Sequence, residues 1–120
     1  MNLHYKKEFA DQLRSGKKKH TIRQKEVAAG AHLKHIIYPY QREKRECVLE
    51  NDCRSTQRIE ILPQGKYFGE GIVRIDGREL IKPEIQTLAC NDGFKCHIAF
   101  WLYFTEPFTG YIIHWTDARY

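Results

Sequence analysis

No stretch of the chain approaches the roughly 20 apolar residues of a membrane-spanning helix. The longest apolar run, Ala99-Phe100-Trp101-Leu102-Tyr103-Phe104, is far shorter. The opening segment, Met1-Asn2-Leu3-His4-Tyr5-Lys6-Lys7, has no apolar run after its charges, which argues against a secretory signal. Internal repeats, low-complexity tracts and linker-like stretches are missing as well. Cysteine is sparse, with four residues at Cys47, Cys53, Cys90 and Cys96. Each of the two pairs encloses five residues, which lies outside the usual zinc-finger spacing. The expectation is therefore four reduced thiols in a cytoplasmic protein with no metal and no membrane contact. Were a metal bound, His97 and His114 would be the extra ligands to examine.

What is present fits one globular domain. The 120 residues are 42% hydrophobic and 12% aromatic, enough for a modest core. Twenty basic residues against fifteen acidic ones leave a formal charge of +5. That excess favours anionic partners such as RNA, nucleotides or phosphate, and by itself it is weak evidence.

Periodicity predicts a short helix over 5–14, because Tyr5, Phe9 and Leu13 fall on one helical face. Gly16 ends it in the left-handed cap conformation. Strands are predicted over 20–23, 33–38, 55–62, 71–75 and 111–115, with 78–81 as a short partner after the Asp76-Gly77 turn. In 55–62 the inward set is Gln57, Ile59 and Ile61. Residues 41–46 are expected to be a charged connection. Pro83 opens a helix that Gly93 closes, and a second helix with an aromatic face spans 95–104. About six strands with helices early and late predict an α+β fold, a small mixed β-barrel with flanking helices.

Three clusters carry candidate chemistry. The first is Gly16-Lys17-Lys18-Lys19-His20-Thr21-Ile22-Arg23. A helix stops, a basic loop follows and a strand begins, which gathers N–H groups and cations into an anion site. Lys19, Thr21 and Arg23 should share one strand face, with His20 and Ile22 on the other. On composition alone this run reads as a solvated basic turn. The second is Asn91-Asp92-Gly93-Phe94, where a carboxylate opposes the dipole at a helix C-terminus. Turn aspartates are nevertheless ordinary. The third is the aromatic set Phe100, Trp101, Tyr103, Phe104, Phe108, Tyr111 and Trp115, for which core packing outweighs base stacking. His32, His35 and His97 have no evident partner.

Leu13-Arg14-Ser15-Gly16-Lys17-Lys18-Lys19-His20-Thr21-Ile22-Arg23 resembles the opening motif of ASCH-domain proteins, and Asp92-Gly93-Phe94 resembles their second motif. The helix at 95–104 and the closing strand through His114-Trp115-Thr116 fit a subgroup common in phage and bacterial genomes. The resemblance implies a PUA-like β-barrel whose cleft handles RNA or a modified nucleoside or nucleotide. Some relatives are amidohydrolases that deacetylate acetylcytidine, and others are linked to RNA cleavage or binding. In the deacetylating relatives a Lys, a Thr three residues later and a Glu do the work. These fall on Lys18, Thr21 and Asp92 here. Aspartate replaces the family glutamate and is one methylene shorter. Residues between Tyr38 and Asn51 also exceed the more compact relatives, and would cover or reshape the cleft mouth.

The expected reaction is acyl transfer to water without metal or cofactor. Thr21 is the nucleophile, Lys18 the base and Asp92 the acid. Arg23, or N–H groups after Gly16, stabilises the oxyanion. Gly16, Lys17, Lys19, His20, Arg23, Gly93 and Phe94 are the expected ligand-binding residues. Two other readings use the same cleft. One is a non-catalytic RNA-binding module in which Lys18 and Arg23 hold phosphate and Tyr38 or Tyr40 stacks a base. The other is a metal-independent ribonuclease with His20 as acid or base.

Overall fold

The computed structural model describes residues 1–38, 41–64 and 70–120. Among the described residues, eight strands and three α-helices form a mixed α+β fold. The order is β1 (Asn2–Tyr5), α1 (Ala10–Ser15), β2 (His20–Arg23), β3 (His32–Ile37), β4 (Glu46–Asp52), β5 (Ser55–Pro63), β6 (Gly71–Ile75), β7 (Arg78–Glu79), α2 (Lys82–Asn91), α3 (His97–Tyr103) and β8 (Phe108–His114). The strands make two sheets, ordered β1-β3-β4 and β2-β8-β5-β6-β7. Among the described residues, hydrogen bonding does not close these sheets into a barrel.

The larger sheet is antiparallel throughout and is built on the long β5–β8 pairing. Alternation sorts its side chains as expected. Gln57, Ile59, Ile61, Val73, Ile75 and Ile112 are buried. All of these except Gln57 pack in one core with Leu88, Phe100, Trp101 and Phe104 of the α2–α3 side. On the opposite face, Ile113 and Trp115 join Leu3, Tyr5, Leu13, Leu33 and Ile37 in a second core beneath the smaller sheet. Two cores flank one sheet, and β2 runs along the sheet's edge between them.

Local chemistry explains most element ends. Gly16 caps α1 at φ 79°, as its sequence position predicts. Asp76 and Gly77 both take positive φ (51° and 85°), the two-residue hairpin geometry that Asp-Gly favours. Glu84 Oε1 accepts the Ile81 N–H at 3.0 Å and so satisfies a free donor at the start of α2.

Three expectations are corrected. The helix over 5–14 is a strand to Tyr5, a 3-10 turn at Lys7–Phe9 and a helix only from Ala10. Leu3 and Tyr5 alternate inward as β1 pairs parallel with β3, and that pairing overrides the weak helical period. The charged connection leads into β4, an edge strand with little burial and hence little periodic signal. It forms by pairing with β3 across a bulge at His35/Ile36. The second helix is shorter than expected and begins at His97.

Candidate functional site

The loop after α1 is fixed at both ends by main-chain bonds. The Lys18 N–H donates to Gln12 O at 3.1 Å, and the Lys19 N–H donates to Asn91 O at 2.7 Å. This stitches the ends of α1 and α2 together and drives the Lys18 side chain inward. Its ammonium donates to the main-chain oxygen of Asp92 and lies 3.4 Å from Asp92 Oδ1. A cation at a helix C-terminus is favourable, so Lys18 answers the dipole conflict that Asp92 alone would create.

Both partners of this ion pair are buried. Burial pushes the Lys18 pKa below its ordinary value, against the opposing pull of the Asp92 carboxylate. The ammonium also faces two rings, with the Phe9 centroid at 4.9 Å and the Tyr5 centroid at 5.7 Å.

Thr21 is buried on the β2 face that meets the smaller sheet. Its Oγ1 accepts from Arg23 Nε at 3.1 Å, so these two share a face as alternation predicts. The Arg23 guanidinium lies 4.9 Å from the Tyr5 centroid and donates to His4 O at 2.9 Å. Burial pushes the Tyr5 hydroxyl pKa up, opposed by the Arg23 charge and a hydrogen bond with Thr21. Tyr5 is therefore the common neighbour of Lys18, Thr21 and Arg23. Its hydroxyl also lies 2.9 Å from His35 Nδ1, and His35 Nε2 lies 2.8 Å from Asn51 Oδ1. Burial, with help from the Lys18 and Arg23 charges, lowers the His35 pKa.

His20 points to the other face and has no exposed surface. Its Nδ1 lies 3.1 Å from Asp92 Oδ1 and its Nε2 lies 2.6 Å from the Tyr120 hydroxyl. The hydroxyl accepts from Asn91 Nδ2 at 2.9 Å. Because a carboxylate only accepts, Nδ1 carries the proton and Tyr120 donates to Nε2. A directed chain runs Asn91 to Tyr120 to His20 to Asp92, where Lys18 meets it. Burial holds the Tyr120 hydroxyl pKa up at about 12, which keeps it a donor. Gln57 secures the same residue through its main chain, accepting from Tyr120 N at 2.9 Å and donating to Tyr120 O at 2.6 Å.

The structure thus joins Lys18, His20 and Asp92 in one buried cluster and Thr21 with Arg23 in another, with Tyr5 beside both. Gly93 sits beside them at φ 102°, and a Cβ there would collide with Gln12 Oε1 and crowd the Phe9 ring. Phe94 does not join them. Its ring packs on Phe100, Tyr103 and Phe104. Gly16, Lys17 and Lys19 are exposed, and Lys19 precedes β2, so strand alternation does not direct its side chain. Tyr38 is half-buried with Lys44 Nζ 5.9 Å from its ring centroid, and Tyr40 lies outside the described residues.

Three participants escaped the motif reading: Tyr5, His35 and Tyr120, while Asn91 lay within the second motif without a role. A signal existed for His35, which shares the period-two inward set of Leu33 and Ile37. Tyr120 had none, since it acts across 100 positions from His20.

A cleft of about 560 Å³ opens elsewhere, between α2, α3 and β6, beside Lys82, Ile85, His97 and Trp101. Its walls include none of Lys18, Thr21 or Asp92. Volume without converging perturbed groups is the weaker indicator, so the buried cluster is the candidate site. The four cysteines are free and scattered, with Cys53 buried in the smaller-sheet core and Cys47 exposed on β4. No described helix is long and apolar enough to cross a membrane. Comparison with protein-family models, curated proteins and solved structures returned no match.

Proposed function

We propose that the chain is an ASCH-like, PUA-related domain that hydrolyses an acyl amide on a modified nucleoside, with Thr21 as nucleophile and Lys18 as base. The observation that carries this reading is the buried Lys18, held against Asp92 with its pKa driven down by burial. Burial that lowers an amine's pKa raises the share of free base at any given pH, which is the direction that activation of a hydroxyl requires.

Thr21 Oγ attacks the acetyl carbonyl and its proton passes to Lys18 Nζ. The C–N bond breaks as the leaving nitrogen takes a proton back. Water then hydrolyses the acetyl-threonine ester and frees acetate. Arg23, already donating to Thr21 Oγ1, stands where negative charge develops. Asp92, oriented by His20, holds Lys18 in place, and Lys18 returns the proton to the leaving nitrogen. Lys18 lies under the Phe9 and Tyr5 rings, so acyl entry displaces the half-buried Phe9.

The same geometry disfavours the ribonuclease reading. His20 has no exposed surface and both its ring nitrogens are taken, so it has no approach to a ribose hydroxyl. The test is a screen of wild type and Lys18→Ala against acetylated nucleosides and short RNAs, scored for turnover and for binding. Turnover by wild type that falls at least about 100-fold in the variant supports the reading. Binding without turnover points to the non-catalytic module.

A further inference from the structure

Three adjacent strands place Arg23, Tyr111 and Arg58 in one row. Arg23 of β2 and Arg58 of β5 are both the register partners of Tyr111 on β8. Direct cross-strand partners point to one face with Cβ atoms about 5 Å apart. This is the face of Thr21 and Ile113, the register pair one step further along. Ile113 is fully buried there, Tyr111 is half-buried and Thr109 is exposed. The cover of the smaller sheet therefore ends at the row, and Arg58 is exposed.

The charge of this row is unbalanced. Among the described residues, neither Arg23 nor Arg58 forms an ion pair with a carboxylate. The next row differs. There Glu60 is the register partner of Thr109 and Arg74, and Arg74 that of Glu79, so two carboxylates share the row with one cation. In the first row two cations flank one half-buried tyrosine ring, and the Asp76 carboxylate accepts the Arg58 main-chain N–H at 3.0 Å.

We propose that the row is a platform for single-stranded nucleic acid, with a base stacked on Tyr111 and backbone phosphates held by Arg58 and the free edge of Arg23. Aromatic stacking between cations is the chemistry that holds unpaired bases without reading their sequence. A peptide or a lipid surface would use the cations and leave the flat ring without a matching plane. Tyr111 lies two strand residues from the position beside Thr21, about 7 Å along the sheet. The base it holds therefore belongs to a nucleotide flanking the one presented to Thr21. This inference rests on the proposed function and names its substrate class as a nucleotide within a strand.

The test is fluorescence anisotropy with a labelled, unacetylated single-stranded RNA of about ten nucleotides, the same RNA as a duplex, and the full chain. The expected result is preference for the single strand, with Tyr111→Ala weakening binding at least about fivefold and Tyr111→Phe retaining it. Arg58→Gln lowers the slope of log K against log salt by about 0.7. Equal binding by Tyr111→Ala, equal binding of the duplex, or no binding of the strand overturns the proposal. The probe carries no acetyl group, so this outcome is independent of catalysis. Strand binding without deacetylation removes the activity and keeps the platform. Turnover of a free acetylated nucleoside without strand binding does the reverse.

Discussion

Lys18 and Asp92 are joined twice, since the buried ammonium donates to the main-chain oxygen of Asp92 and stands 3.4 Å from its Oδ1. Removing one partner of a buried pair strands the other charge. Asp92→Asn is therefore expected to destabilise the fold by about 3–5 kcal/mol, measured by urea unfolding. The double change Lys18→Met with Asp92→Leu should recover most of that loss. A single variant within about 0.5 kcal/mol of wild type would show that the pair is not formed.

The shift at His114 makes a pH prediction. Burial lowers its pKa from 6.5 to about 4. Its Nε2 donates to Gln57 Oε1 at 3.0 Å, and its buried Nδ1 has no hydrogen-bond partner among the described residues. Between the two pKa values the unfolded chain binds the extra proton. Stability therefore rises with pH across that window and falls on acidification from 6.5 toward 4, by up to roughly 3 kcal/mol. The lowered Lys18 and His35 pKa values carry the same sign in their own windows. His114→Gln should flatten the acid side of a plot of unfolding free energy against pH. An unchanged slope there would contradict the assignment.

Gly93 joins the end of α2 to the face of α1. Its positive φ and the crowding by Gln12 and Phe9 leave no room for a methyl group. Gly93→Ala is expected to cost about 2 kcal/mol, read as a lowered denaturation midpoint. A methyl added at the exposed Gly16 would meet nothing within 4 Å, so Gly16→Ala should cost only the strain of its left-handed φ.

Tyr120 sets the orientation of His20 from the far end of the chain. Tyr120→Phe removes the donor to His20 Nε2 and is expected to cost about 1 kcal/mol. Nitrogen chemical shifts of His20 report the tautomer directly. Wild type should show a protonated Nδ1, and the variant should show exchange between ring forms. Identical spectra would mean that Tyr120 plays no part in orienting the ring.

The sequence displayed the local parts of this architecture better than the distant ones. The Gly16 cap, the Asp76-Gly77 turn, the Pro83 helix start and the inward set of β5 follow from chemistry within a few residues. So does the pairing of Thr21 with Arg23 on one face. β1 and β4 were not legible, because each depends on β3 as a partner and β4 is too exposed to alternate clearly. Among the described residues the strands bond within two separate sheets, and the closed barrel expected from the strand count and the resemblance is not seen in their hydrogen bonding. At the site, the motifs marked Lys18 and Asp92, but not the contact that joins them across 74 positions. Tyr5, hidden in an apparent helical period, became visible as the group between Lys18, Thr21 and Arg23 only once β1 was placed.

The central claim is that Thr21 and Lys18 form a reactive pair. The most direct measurement is kcat/KM for an acetylated cytidine nucleoside as a function of pH, for wild type, Thr21→Ser and Thr21→Ala. The account predicts a rate that rises with pH through one ionisation below the ordinary lysine value. Thr21→Ser should retain it, and Thr21→Ala should abolish it. Undiminished turnover by Thr21→Ala would contradict the account.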